Sequence, residues 1–269
     1  MVEKKTPVGK PADDFIRIQD LWSMFVPKWY WFAISLFITL TIAVLYLLST
    51  PPIYTRTAAI LVKDNSKSSS STSAMNDFSD LGIFKSNTNI NNELLTLKSP
   101  TLMTEVVNRL GLNETFTIRK GLKNVDLYKV SPVTITFCDK IEVPLSFTIK
   151  FSSKEAFAIS ELEISGEDIG ETLSAQMGDS IQTSAGIMIV SPTQEFTDVF
   201  IGTSIRYVRG SVRAAVDTYS NALVAELGNE DATIINLSIN DTSIRKAEDI
   251  LNTLIEVYNE NWIRDKNQI

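Results

Sequence analysis

The 269-residue sequence contains no histidine and a single cysteine, Cys138. Without histidine, the commonest general base and the commonest metal ligand are missing. One cysteine permits neither an intramolecular disulfide nor a thiolate metal cluster. The phosphate loop GxxxxGKS/T and the dinucleotide fingerprint GxGxxG are absent, as are the GxSxG nucleophile elbow and the HExxH zinc pair. Positive charge is also scarce. Lys and Arg number 25 against 32 Asp and Glu, a net charge of −7 that argues against a nucleic-acid partner. No catalytic residue, metal site or cofactor site is expected, and the residues present are read as non-enzymatic. Hydrophobic residues, by contrast, make up 44% of the chain, enough to bury a core in one or two domains.

The most informative feature is Trp29 to Leu48, 20 residues without a charge, of which 17 are apolar. A helix of that length rises about 30 Å, the thickness of a bilayer's hydrocarbon core. Trp29, Tyr30 and Trp31 stand at its start, where amphipathic rings favour the headgroup layer, and Pro51 and Pro52 follow its end. The run exceeds the h-region of a cleaved signal peptide, and no small-residue cleavage site follows. It reads as an uncleaved signal-anchor. Lys4, Lys5, Lys10, Arg17 and Lys28 precede it, whereas Arg56, Lys63 and Lys67 follow closely. This asymmetry points to a cytoplasmic N-terminus and an extracytoplasmic remainder. Before the span, Phe15, Ile18, Leu21, Trp22 and Phe25 recur at helical spacing. They suit a short helix at the inner membrane interface or one packed on another part of the protein.

Beyond the span, Tyr54 to Val62 reads as a strand and the serine-rich Asn65 to Ser73 as a loop. Asn89 to Leu110 reads as a broken helix. Ile90, Leu94, Leu95 and Leu97 mark its first piece. Ser99 caps the second, Pro100 opens it, Gly111 stops it, and Leu102, Val106, Val107 and Leu110 form its buried face. Five short strands are expected at Val133–Cys138, Leu145–Phe151, Ala156–Ile164, Ile187–Val190 and Phe196–Ile201, a small β-sandwich in which Cys138 packs. Thr203 to Val208 follows as a strand and Ser211 to Ala222 as a helix. Leu223 to Leu227 and Thr233 to Ile239 then make a hairpin around Gly228-Asn229-Glu230-Asp231. A last helix, capped by Asp241 or Ser243, carries the stripe Ala247, Ile250, Leu251, Leu254, Tyr258 and Trp262. This stripe should pack on the sheet that holds Tyr54 to Val62. The pattern runs to Ile269 without a stop signal, and so reads as the front part of a longer protein.

The fold class is thus α+β, with an N-terminal transmembrane helix, an inserted small β-sandwich and a long C-terminal helix. The expected divisions are an interfacial N-terminus at 1–28, the span at 29–48, an α+β domain built from 49–128 and 202–269, and a β-rich insert at 129–201. The acidic pairs Asp13-Asp14, Glu161/Glu163 and Glu230-Asp231 read as solvated charge. Gly166 and Gly170 match GxxxG only in a polar segment, and three glycosylation sequons (Asn113, Asn236, Asn240) carry little weight.

Several segments together carry a family resemblance. Pro51-Pro52-Ile53-Tyr54-Thr55-Arg56-Thr57-Ala58 follows the span. Asn92-Glu93-Leu94-Leu95-Thr96-Leu97-Lys98-Ser99-Pro100 and Glu105-Val106-Val107-Asn108-Arg109-Leu110-Gly111-Leu112 come next. Lys246-Ala247-Glu248-Asp249-Ile250-Leu251-Asn252-Thr253-Leu254, with Tyr258-Asn259, lies near the end. In this order they resemble the chain-length determinant (Wzz-type) domain of bacterial polysaccharide co-polymerases. The closest likeness is to the version fused to a tyrosine autokinase in capsule and exopolysaccharide export (Wzc-type). The resemblance spans 12–128 and 202–269. It implies an inner-membrane, largely periplasmic protein with two spans. Such a protein forms ring-like homo-oligomers and sets the length of capsular polysaccharide, exopolysaccharide or O-antigen made by a partner polymerase. Implied partners are membrane lipid, further copies of the chain, the polymerase and export machinery, and glycan. The second span and the kinase would lie beyond Ile269, and the family offers no catalytic residue to carry over. Two other classes compete: the sensor ectodomain of a membrane signalling protein, and an adaptor subunit of an export machine, whose long heptad hairpins are not seen.

Leu40→Arg places a charge near mid-bilayer at a cost of about 2.5–3.5 kcal/mol, so the membrane fraction of the chain should fall on cell fractionation. Cysteines introduced at Lys10 and Thr115, each in a chain whose own Cys138 is replaced by serine, report the orientation. An impermeant reagent applied to intact cells should label position 115 and spare position 10.

Overall fold

The computed structural model describes residues 26–62, 86–138, 143–228 and 234–267. The helix expected at Asp14–Phe25, the loop at Asn65–Ser73 and the turn residues Asn229 to Asp231 lie outside them. The chain divides into two compact units after Thr50.

The first unit holds a 3-10 turn, Val26–Lys28, and helix α1, Trp29–Ser49. Every side chain of α1 is exposed. A helix that is apolar on all sides needs apolar surroundings, and α1 is the one helix among the described residues long and apolar enough to cross a membrane. Its hydroxyls bond inward. Thr39 Oγ1 donates to the Ser35 carbonyl at 3.0 Å, and Thr41 Oγ1 to that of Phe37 at 2.8 Å. The helix ends at Thr50, whose extended backbone leads into Pro51 and Pro52.

The second unit has two hydrophobic clusters. The first surrounds a three-stranded antiparallel sheet of β1 (Tyr54–Leu61), β12 (Leu223–Leu227) and β13 (Ile234–Asp241), with β13 in the centre. Tyr54 pairs with Asp241 and Leu61 with Ile234. Alternation sends Ala58, Ile60, Leu223, Ala225, Ile235, Leu237 and Ile239 to one face, which the helices cover. Those helices are α2 (Ser86–Leu97), α3 (Pro100–Leu110), α4 (Val212–Ala222) and α5 (Ile244–Asn267).

Local chemistry sets their ends. Ser99 Oγ accepts from the Thr101 amide, Pro100 needs no donor partner in the first turn, and Gly111 ends α3 at φ 62°, a conformation that suits glycine. Ser211 caps α4 by accepting from the Ala214 amide at 3.2 Å. Ser243 caps α5 by accepting from Lys246 N, and Asp241 Oδ1 in turn accepts from Ser243 N. Of the two expected caps, Ser243 acts on the helix, and Asp241 holds the amide of that cap residue. The stripe of α5 is buried from Ala247 to Tyr258 and includes Val257, but Trp262 is 41% exposed. In α3, Met103 joins the buried face and Leu110 is only half-buried. Leu95 of α2 is 66% exposed, unlike Ile90 and Leu97.

The second cluster lies between two sheets. A three-stranded sheet has the order β4 (Val133–Phe137), β10 (Gly186–Pro192), β9 (Ser180–Thr183). The larger sheet runs β3 (Lys123–Asp126), β2 (Glu114–Lys120), β11 (Ser204–Arg209), β5 (Leu145–Phe151), β6 (Ala156–Ile164), β7 (Glu167–Asp168), and β8 (Leu173–Gln176) also pairs with β6. Phe147, Phe151, Phe157, Met188 and Tyr207 are fully buried between the sheets. The sheet thus takes β2 and β3 from before residue 129 and β11 from after residue 201. β11 matches the strand expected at Thr203–Val208, whereas β2 and β3, short and largely polar, carry little signal alone. β2 and β11 pair directly, Glu114 opposite Arg209, and Gly210 N donates to the Asn113 carbonyl at 2.8 Å. The chain therefore leaves and re-enters the helical layer at neighbouring positions, as an inserted module requires.

Two local expectations fail. Phe196–Ile201 is not a strand. Asp198–Phe200 forms a 3-10 turn, while Phe196 meets Phe151 edge-on at 5.2 Å. The Thr197-Asp198 pair turns the chain, and its two phenylalanines serve the core from a loop. Cys138 is exposed rather than packed, because it stands one residue beyond β4, where the alternation ends.

Leu254 of α5 has no exposed surface. Leu254→Ala should lower the unfolding free energy by about 2–5 kcal/mol. Leu95→Ala, at an exposed site, should stay within about 0.5 kcal/mol of the parent. Denaturant unfolding of the detergent-solubilised chain measures both.

Candidate functional site

Among the described residues, no group of three or more histidine, cysteine, aspartate or glutamate side chains is placed to hold a metal ion. The acidic pair Glu161/Glu163 has a structural explanation. The register of β5 with β6 shifts between Ser146 and Thr148, and Glu161, at φ 56°, is the extra residue of a β-bulge. The bulge turns both carboxylates to the same outer face. Thr148 Oγ1 donates to Glu161 at 2.8 Å, Ser146 Oγ donates to Glu163 at 2.7 Å, and Arg206 pairs with Glu163 at 3.0 Å. Asp13-Asp14 and Glu230-Asp231 lie outside the described residues.

Chemistry concentrates instead where the helical layer meets the β-rich layer. Lys246, in the first turn of α5, is buried, with Nζ 2.5 Å from Asp126 of β3 and 3.4 Å from Asp241 of β13. Burial alone would lower the pKa of this ammonium. The Tyr219 hydroxyl, Asp126 and Asp241 outweigh burial and hold it above the ordinary lysine range. The Tyr219 phenol is itself pushed up, chiefly by burial. The three charges join α5, β13 and β3, so one cation ties the two layers.

Beside this tie opens a cleft of about 360 Å³. The C-terminus of α3, the starts of β2 and β4, the turn after β3 and Tyr219 of α4 form its walls. Lys129 lies in the left-handed region at φ 57° and pairs with Asp249 at 2.7 Å, its ammonium 5.5 Å from the Tyr128 ring. The Tyr128 hydroxyl is buried beside Asp249, and burial first, then that carboxylate, hold the phenol above its ordinary range. Glu114, also on the wall, has its pKa raised by burial, against the pull of Arg209 at 3.7 Å.

Arg245, Glu248, Asn252, Glu256 and Asn259 form the outward face of α5 and are exposed. Glu248 is not idle, since Arg56 of β1 pairs with it at 3.1 Å. Farther along, Arg109 grips Glu260 through two bonds of 2.6 and 3.1 Å, and the Tyr258 hydroxyl donates to Glu93 at 2.6 Å.

None of the cleft residues was singled out from sequence as a site. One signal was readable: Lys246 stands four residues before Ile250 and eight before Leu254, on the apolar stripe, where an unpaired lysine would be costly. The partners Asp126 and Tyr219 lie 120 and 27 residues away and carry no local signal.

Residues 14–110 match the model of a known family, Wzz, the chain length determinant proteins. No curated protein matches the chain. The matched stretch contains α1, β1, α2 and α3 and stops where β2 begins.

Lys246→Met strands two buried carboxylates and should destabilise the chain by about 3–5 kcal/mol. A raised lysine pKa stabilises the fold at every pH below the unfolded value and ceases to do so only as pH climbs through the folded one. The penalty should therefore stay constant from about pH 6 to 9 in pH-resolved thermal melts. Adding Asp126→Asn to Lys246→Met should recover part of it.

Proposed function

We infer, from a chain that carries a Wzz chain length determinant domain at residues 14–110, a membrane-anchored polysaccharide co-polymerase that acts by assembly. The domain itself supports a chain-length determinant role in polysaccharide synthesis and is a regulator rather than an enzyme. On this reading α1 anchors the protein in the bacterial inner membrane, the N-terminus faces the cytoplasm and the second unit occupies the periplasm. Copies of the chain meet side by side and set how long a partner polymerase extends capsular polysaccharide, exopolysaccharide or O-antigen before release and export. The observation that carries the reading is the family match over α1 and the elements that directly follow it. The charged outward face of α5 is the candidate for the contact between copies.

Two measurements test it. Deleting the coding sequence should broaden or shift the length distribution of surface polysaccharide on a gel, and complementation should restore it. An unchanged distribution overturns the reading. Arg245→Glu with Glu256→Lys alters the outward face of α5 while leaving the Arg56–Glu248 pair intact. Each exposed charge contributes only about 0–1 kcal/mol, but the change recurs at every interface of a ring. Smaller oligomers in detergent and altered chain length are expected. Parent-like values of both remove this face from the mechanism. Coding sequence past Ile269 with a second span and GxxxxGKS/T would extend the reading to the kinase-fused version.

A further inference from the structure

We propose that the cleft between the helical and β-rich layers binds one or two sugar units of a growing polysaccharide, an assignment that rests on the chain-length reading above. At about 360 Å³ the cleft falls in the size range of small-ligand pockets. Its walls combine two chemistries. Phe116, Tyr128 and Tyr219 offer ring surface, which suits the C–H faces of a pyranose. Thr134 offers an exposed hydroxyl that donates and accepts, whereas those of Ser131 and Thr193 already donate to the Val133 and Ser131 carbonyls and keep acceptor capacity only.

Charge decides the ligand class. Lys246 is already neutralised by Asp126 and Asp241, Lys129 by Asp249, and Glu114 faces Arg209. No cation is left over on the wall to hold a phosphate or a nucleotide. The carboxylate of Glu195, exposed on the wall, adds an acceptor that repels anions and suits sugar hydroxyls. The cleft also adjoins the Lys246 tie, so a bound sugar would touch both layers of the unit.

The experiment uses the full chain in a detergent without a sugar headgroup. The probe is a set of oligosaccharides of two to six sugars, cut by partial acid hydrolysis from the producing strain's own surface polysaccharide. Saturation-transfer NMR and titration read binding. Transfer to the sugar ring protons is expected. Thr134→Trp, which fills the cleft from an exposed position, should weaken binding at least tenfold. Glu195→Ala, which removes the exposed acceptor of the wall, should weaken it about three- to tenfold with the melting temperature preserved. No transfer to the parent overturns the proposal, and so does parent-like binding by Thr134→Trp. If that variant fails to fold, parent-like binding by Glu195→Ala overturns it instead. Absent binding, with polysaccharide length still shifted by gene deletion, removes the cleft and keeps the chain-length reading. Binding with length unaffected by deletion keeps the cleft as a sugar site and removes that reading.

Discussion

The pairing of β1 with β13 is the constraint on which the second unit depends. It sets Tyr54 beside Asp241, so most of the chain is enclosed in the loop that this ladder closes. Closing a long loop costs only slightly more than closing a short one, since the entropy grows with the logarithm of length. Insertions between the two strands are therefore tolerable provided that their ends return to the same place. The Asn113–Gly210 contact and the β2–β11 ladder supply that return. The β-rich module can bury its own aromatic cluster without disturbing the sheet that carries it.

The two layers then need a reason to hold one arrangement. Apolar packing is non-directional, whereas a buried ammonium with two carboxylates is not. Lys246 meets Asp126 from one layer and Asp241 from the other, and misplacing either layer would leave a buried charge unpaired. The tie adds specificity more than stability, and it borders the cleft assigned to sugar binding.

Several polar groups have structural partners: Glu163 pairs with Arg206, and Glu161 accepts from Thr148 on an outer sheet face. The charged outer face of α5 and the cleft are different surfaces of one unit. On the proposed reading an assembly contact falls on the first and a glycan contact on the second, and the Arg56–Glu248 pair joins β1 to the first.

What the sequence determined alone is whatever rests on neighbours along the chain. An uncharged apolar run of 20 residues defines α1, since a helix satisfies its own backbone and a bilayer asks only for length and apolarity. Ser99, Pro100 and Gly111 define α3, because capping acts within a single turn. The period of α5 revealed the stripe from Ala247 to Tyr258. Tertiary structure decided whatever rests on a distant partner. β2 and β3 are strands because of the ladder they join, the Glu161 bulge exists because of the register of β5, and Lys246 is tolerable only beside Asp126 and Asp241. Trp262 continues the stripe by spacing, yet it is exposed where Leu254 and Tyr258 are covered. Periodicity states which residues share a face. Only packing against a second element, brought from far along the chain, states where that face is covered.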